Sequence, residues 1–279
     1  MLEKLGLGTV QFGQPYGISN THGQVSLGEA AAILATARTA GIRLLDTAAN
    51  YGEAEAVLAG LDTAGFRIVS KTIALKHGLD QVIARARQSA TALKADALLV
   101  HAAADLKGQN GDALWSALCR LRDEGVFRKI GISVYVADDP AALAVRFRPD
   151  VMQLPFSLLD QRLLVNGTLA RLTELGVEIH ARSLFLQGLL FLDTLPEKLR
   201  HAGPHLIRVR ARLRDAGITP LAAALNFVLS RREISFGLVG VTSGPELDEI
   251  IGAAQKPLPD LDWASFALED EVTLTPSLW

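Results

Sequence analysis

The chain has 279 residues and a formal charge of −2, with 49% apolar and 21% charged residues, the balance of a globular protein with a sizeable core. No basic run offers a footing for nucleic acid or an anionic membrane, and Cys119, the single cysteine, excludes an intramolecular disulfide and a four-cysteine metal site. No apolar run of about 18 residues is present to span a membrane, and Met1–Gly6 lacks a signal-peptide core, so a cytoplasmic protein is expected.

The run Leu5-Gly6-Leu7-Gly8-Thr9 predicts a strand near 4–8. Ser26, with Glu29 three residues on, starts a helix over 27–40 that Gly41 closes. Strand-like and helical patterns then alternate. Strands are expected near 42–46, 67–71, 97–101, 128–132, 150–154, 177–182 and 235–239. Helices are expected near 53–60, 79–93, 111–124, 139–146, 167–176, 196–216, 219–231 and 245–254. Asp80, Asp112, Asp139 and Thr219-Pro220 suit helix starts; Gly125, Gly176 and Gly217 suit ends. The strands are apolar throughout rather than alternating, as strands covered on both faces are.

Other signals along the chain have ordinary readings. Trp115 and Phe227 fit core-facing helix positions, and Cys119 behaves as a small apolar side chain in a helix. Arg208, Arg210, Arg212 and Arg214 form a solvated face. His201 and His205 have the spacing of a helical metal pair, but Gly203-Pro204 disfavours a regular helix there and no third ligand is near, so they read as exposed polar residues. His180 falls within the seventh strand, and Asp160-Gln161-Arg162 either lines a site or caps a short helix. The loops after the strands look short and the tail, Pro276 to Trp279, is brief, which predicts an open mouth.

Eight strand–helix units in one chain predict a single-domain α/β fold over residues 1–279, a (β/α)8 TIM barrel. The competing doubly wound sheet lacks its fingerprint, because Gly6, Gly8 and Gly13 miss the G-x-G-x-x-G spacing and open no helix. In a barrel the C-terminal strand ends meet around one mouth. Asp46 ends the second strand, with Tyr51 five residues on; Lys71 ends the third and His101 the fourth. A buried lysine needs a carboxylate neighbour, and Asp46 is the obvious one. A phenol with an ordinary pKa of about 10 is a poor acid near neutrality, and an adjacent ammonium favours its ionised form. Tyr51 beside Lys71 is therefore placed to give a proton to a developing oxyanion, with His101 orienting the same carbonyl.

At these residues the chain resembles the aldo-keto reductases. The stretch Gly41 to Gly52, with Glu55 beyond, is similar to that family's G-x-x-x-[LIF]-D-T-A-x-x-Y-G-x-x-E pattern. The resemblance implies a barrel with an Asp46–Tyr51–Lys71–His101 tetrad, a small-molecule carbonyl substrate and an extended nicotinamide cofactor at the mouth. It implies that Thr9 and Val10 line the nicotinamide pocket with Asp46, and that Ser133 and Gln153 hold the carboxamide. The run Arg182 to Leu190, with Ser183, Leu184, Gln187 and Gly188, resembles the family's loop over the pyrophosphate, and the run Gly240 to Glu246, with Gly240, Val241, Thr242 and Ser243, resembles its adenosine-phosphate segment at a helix start. Val134 stands where many relatives have Asn, and Val241 and Leu247 where NADP-preferring relatives often have Lys or Arg. NADP is the family expectation, with NAD or dual use open. Two rivals stay open as well: a cofactor-binding regulatory or interaction subunit with little turnover, and an aldolase using Lys71 as a Schiff base.

Overall fold

The computed structural model describes residues 1–18 and 20–279. Eight parallel strands close into a barrel in sequence order. They are β1 Leu5–Gly8, β2 Leu44–Asp46, β3 Arg67–Lys71, β4 Ala97–Val100, β5 Lys129–Ser133, β6 Val151–Pro155, β7 Glu178–Arg182 and β8 Phe236–Gly240. Closure comes from β8 pairing with β1, where Gly8 stands opposite Gly240. The fold is the expected (β/α)8 barrel in one domain.

The strands are buried on both faces, and their period of two divides them between two cores. Leu44, Val69, Ala97, Leu99, Val151 and Leu238 point into the barrel. Their strand neighbours Leu45, Ile68, Leu98, Met152 and Val239 join the larger core beneath the helices, with Trp115 and Phe227. The inward set extended by two residues reaches Asp46, Lys71, His101 and Gln153. This one periodicity both fills the barrel and builds the layer at its mouth.

Local chemistry fixes the helix starts. Ser26 accepts from Glu29 N at 3.2 Å, Asp139 from Ala142 N at 3.1 Å and Thr219 from Ala222 N at 3.2 Å. Asp80 and Asp112 are not the caps but lie in the first turn of helices Leu79–Leu93 and Gly111–Asp123, where their charge meets the positive helix end. The long helix expected over 196–216 is two elements, a 3-10 segment Glu197–Ala202 and an α-helix Gly203–Asp215. Pro204 is tolerated because it sits in the first turn, where no N–H partner is required. His201 is exposed and pairs with Asp270, while half-buried His205 contacts Phe266 O. Asp160 accepts from both Arg162 Nε and Nη2 at 2.8 Å, just ahead of the one-turn helix Arg162–Val165. Among the described residues no helix is long and apolar enough to cross a membrane.

The opposite end of the barrel is plugged by charge. Glu178 on β7 accepts from Arg67 of β3 at 3.0 Å, pairs with His180 at 2.8 Å and is bonded by Lys129 of β5. Burial would raise its pKa, but the bonds from His180 and Lys129 outweigh it and hold the carboxyl at about 2. The stabilisation is therefore present above the ordinary Glu value and is lost as pH falls from about 4.3 toward 2. Glu178→Gln is expected to cost on the order of 2–3 kcal/mol at neutral pH and to flatten the acid limb of stability, measured by urea unfolding across pH.

Candidate active site

The mouth layer is assembled from inward-facing strand ends. Asp46 is 4% exposed and Lys71 1%. Lys71 Nζ donates to Asp46 Oδ2 at 2.6 Å, to Thr47 O at 2.9 Å and to Tyr51 Oη at 3.3 Å. Each of its three protons has an acceptor. Burial alone would lower the lysine pKa; the Asp46 carboxylate, then Tyr51, outweigh burial and hold it above the ordinary value. Lys71 is thus an ammonium aimed at the tyrosine oxygen. Asp46 is held in turn by Gln153, whose Nε2 donates to Oδ1 at 2.7 Å.

Tyr51 lies on a turn whose position depends on close backbone contact. A Cβ on Gly13 would come within 1.8 Å of Tyr51 O, and one on Gly52 (φ 53°) within 2.3 Å of Gly13 O. Glu55, beyond the turn, is 7% exposed and bonded by Ser70, Ser89 and Arg85, so it clamps the tyrosine segment to β3 and helix Leu79–Leu93. Gly13→Ala is expected to displace Tyr51 and lower kcat about 100-fold, with a measurable loss in Tm.

His101 follows β4, its ring edge-on to Tyr51 at 5.7 Å between centroids. Its Nδ1 is buried without a partner among the described residues. Burial, then the Lys71 charge, lower its pKa to about 4, with Arg182 adding to the effect against Asp46. The ring is therefore neutral at working pH and has one N–H to offer a carbonyl oxygen. An NMR titration is expected to place the His101 midpoint near 4 rather than near the ordinary 6.5.

The other residues singled out in the sequence fall at the same rim in different roles. Thr9 donates through N and Oγ1 to Asp46 O at 2.9 and 3.0 Å, fixing the end of β2. Val10 opens the one-turn helix Val10–Gly13. Ser133 ends β5 in register with Gln153 of β6. Leu184 and Val241 are buried in the core. Gly188 (φ 89°) is buried, whereas Gly240 ends β8 exposed. Ser183, Leu186 and Gln187 all have positive φ, a concentration of backbone strain typical of functional loops. Gln187 Oε1 accepts from Ile18 N at 3.2 Å, so the loops after β1 and β7 meet over the rim. These two loops are longer than the short connections expected.

Several residues came to light only in the structure. Tyr16 from the β1 loop is close enough to Tyr51 and Tyr135 that burial, then those two phenols, raise its pKa, against Arg182. Gln11 packs against Gly240, where a Cβ would sit 2.6 Å from its amide, and its Oε1 is buried without a partner among the described residues. At helix Gly244–Ala254, Ser243 is the N-cap, Gly244 N donates to Glu29 at 2.6 Å, and Thr242 N and Oγ1 donate to Glu246 at 2.6 and 2.9 Å. Gly8 at the end of β1, the unpaired Gln11 acceptor lying over Gly240 and a helix start beyond fit an elongated nucleotide along the β1–β8 side.

Residues 4–268 match the model of the Aldo/keto reductase family. The fold is similar to that of an aldo-keto reductase from Bacillus halodurans in its holo form (TM-score 0.71, 19% identity), with 94% of this chain and 90% of that chain covered. It is also similar to the aldose reductase of Giardia lamblia, at TM-score 0.69 and 17% identity over 95% and 92% of the two chains. No curated protein sequence matches the chain significantly.

Proposed function

The chain belongs to the aldo/keto reductase family, whose members are oxidoreductases acting on carbonyl groups, and from that premise we propose that it reduces an aldehyde, ketone or sugar carbonyl to the alcohol, reversibly, with Tyr51 as proton donor. The observation that carries this reading is the single Lys71 ammonium bonded at once to Asp46 and to Tyr51 Oη at the barrel mouth. As the phenolic proton leaves, that ammonium stabilises the phenolate oxygen, and buried Asp46 keeps the lysine charged. Neutral His101 orients the carbonyl by a hydrogen bond without competing as an acid. A bound nicotinamide cofactor supplies the hydride. Thr9, Val10, Asp46, Ser133 and Gln153 would surround its nicotinamide, with the 183–188 and 240–243 segments along the phosphates. The protein acts in the cytoplasm on a small molecule.

Between the two cofactors, this chain's own residues support NADH at least as well as NADPH. Glu29 and Glu246 already take the N–H groups of Gly244 and Thr242, and two carboxylates there oppose an adenosine 2′-phosphate while suiting a ribose hydroxyl. No cation stands at Val241 or Leu247. Fluorescence titration tests this: NADH is expected to bind as tightly as NADPH or tighter, and Glu29→Gln to shift the balance toward NADPH. NADPH binding on the order of 100-fold tighter than NADH would refute the NADH reading. A broad carbonyl panel with bound cofactor tests the reaction, and a cofactor bound but never oxidised would favour the regulatory-subunit alternative.

A further inference from the structure

The mouth layer contains one charged group that proton transfer leaves unused. Taking the inward-facing residue at each strand end gives Gly8, Asp46, Lys71, His101, Ser133, Gln153, Arg182 and Gly240. The glycines are bare, Asp46 and Lys71 cancel in charge, and His101 is neutral. Arg182 alone leaves the layer with a net positive charge.

Its side chain crosses the mouth. From the end of β7 it passes β6 to reach the end of β5, where Nη2 donates to Val134 O at 3.0 Å. Nη1 makes a longer contact to Ser183 Oγ at 3.4 Å, and the guanidinium lies 4.3 Å from the centre of the Tyr135 ring. Half-buried Arg182 has no carboxylate within ion-pair distance among the described residues, whereas Arg67, Arg85, Arg122 and Arg162 each have one. Withdrawing a cation from water without a counter-charge is costly, so an anion placed there is favoured. One face of the guanidinium lies against Tyr135, and Nη1 and Nη2 each use one N–H on Ser183 and Val134. Nε–H and the second N–H of each terminal nitrogen have no acceptor among the described residues, and a planar guanidinium edge matches a carboxylate in two-pronged fashion. The Arg182 charge is also felt at His101 and at Tyr16, and the His101 ring lies edge-on to Tyr51 at 5.7 Å.

We propose that Arg182 is the specificity residue of this site and that the substrate is a carbonyl compound carrying a carboxylate, an oxo acid or aldehyde acid, lying between Tyr16 and Tyr135. This rests on the carbonyl-reductase reading above. The anionic group that Arg182 meets has two other possible sources, a substrate phosphate and the cofactor's own phosphates, and the test separates them.

Matched substrate pairs are compared in wild type, Arg182→Gln and Arg182→Lys: succinic semialdehyde with butanal, 4-carboxybenzaldehyde with benzaldehyde, and glyceraldehyde 3-phosphate with glyceraldehyde. The wild type is expected to prefer the carboxylate member by roughly 10–100-fold in kcat/KM, mainly through KM. Arg182→Gln is expected to abolish that preference and Arg182→Lys to restore part of it. NADH and NADPH dissociation constants, read by fluorescence, are expected to move less than about threefold in either variant. A wild-type preference that survives Arg182→Gln, or no preference at all, overturns the assignment. So does a preference confined to the phosphate pair, or a variant whose main defect is cofactor affinity. If no carbonyl is turned over, the reductase reading fails separately. Calorimetric titration of 4-carboxybenzyl alcohol against the NAD-bound protein then decides Arg182: binding weakened at least about tenfold by Arg182→Gln supports it, and absent or unchanged binding overturns it.

Discussion

Tyr51→Phe is expected to lower kcat by roughly 10²–10⁴-fold for every carbonyl substrate while leaving cofactor affinity within about twofold. The substitution removes one oxygen and keeps the ring, so the edge-on contact with His101 and the position of Lys71 above the ring survive. What disappears is the one hydroxyl that Lys71 Nζ bonds among the described residues. Steady-state kinetics with a fluorescence titration of cofactor separates the loss of proton transfer from loss of binding. A variant that retains more than about half of the wild-type kcat would remove Tyr51 from the chemistry.

Lys71→Met has the second large effect, on both activity and fold. The thioether fills the space of the lysine stem but strands Asp46, 4% exposed, with Gln153 Nε2 as its one side-chain donor among the described residues. A buried carboxylate left without its cation costs about 3–5 kcal/mol. Activity is expected to fall by about as much as in Tyr51→Phe, because nothing then stabilises the phenolate. The double variant Asp46→Asn/Lys71→Met is expected to be more stable than Lys71→Met alone, since it removes both charges, yet equally inactive. Urea unfolding and steady-state rates of the three variants check this. Because the folded pKa of Lys71 is raised, its stabilisation is fully present below the ordinary lysine value and is lost only as pH rises through the raised one. The Lys71 ammonium is therefore expected to contribute no change in stability between pH 5 and 9.

The barrel and three of the four residues of the Asp46–Tyr51–Lys71–His101 set are legible in the sequence because they follow from one rule. Asp46, Lys71 and His101 sit two residues beyond Leu44, Val69 and Leu99, so they point inward with them, and closure of the sheet brings them together. The same rule, carried to β7, also reaches Arg182, which the resemblance counts as the first residue of the loop over the pyrophosphate and which the structure makes the last residue of the strand. Other features depend on distances that no local pattern encodes. Gly13 matters because its turn lies directly against the Tyr51 carbonyl. Glu29 caps the strand-8 helix across 215 residues of sequence. Gln153, assigned to a cofactor contact by resemblance, uses its amide N–H on Asp46. Tyr16 and Gln187 arrive on loops whose conformation is set by contacts with each other's segments and by strained backbone, so their position is not written in hydrophobic periodicity.

The most direct measurement of the central claim is a single turnover. Cofactor in reduced form is pre-bound to wild type and to Tyr51→Phe, mixed with a reactive aldehyde in stopped flow, and followed by nicotinamide absorbance. Wild type is expected to oxidise one equivalent of bound cofactor in a single exponential phase, and Tyr51→Phe to do so at least about 100-fold more slowly. Equal rates in the two proteins, or bound cofactor that wild type never oxidises with any carbonyl, would contradict proton delivery by Tyr51 at this site.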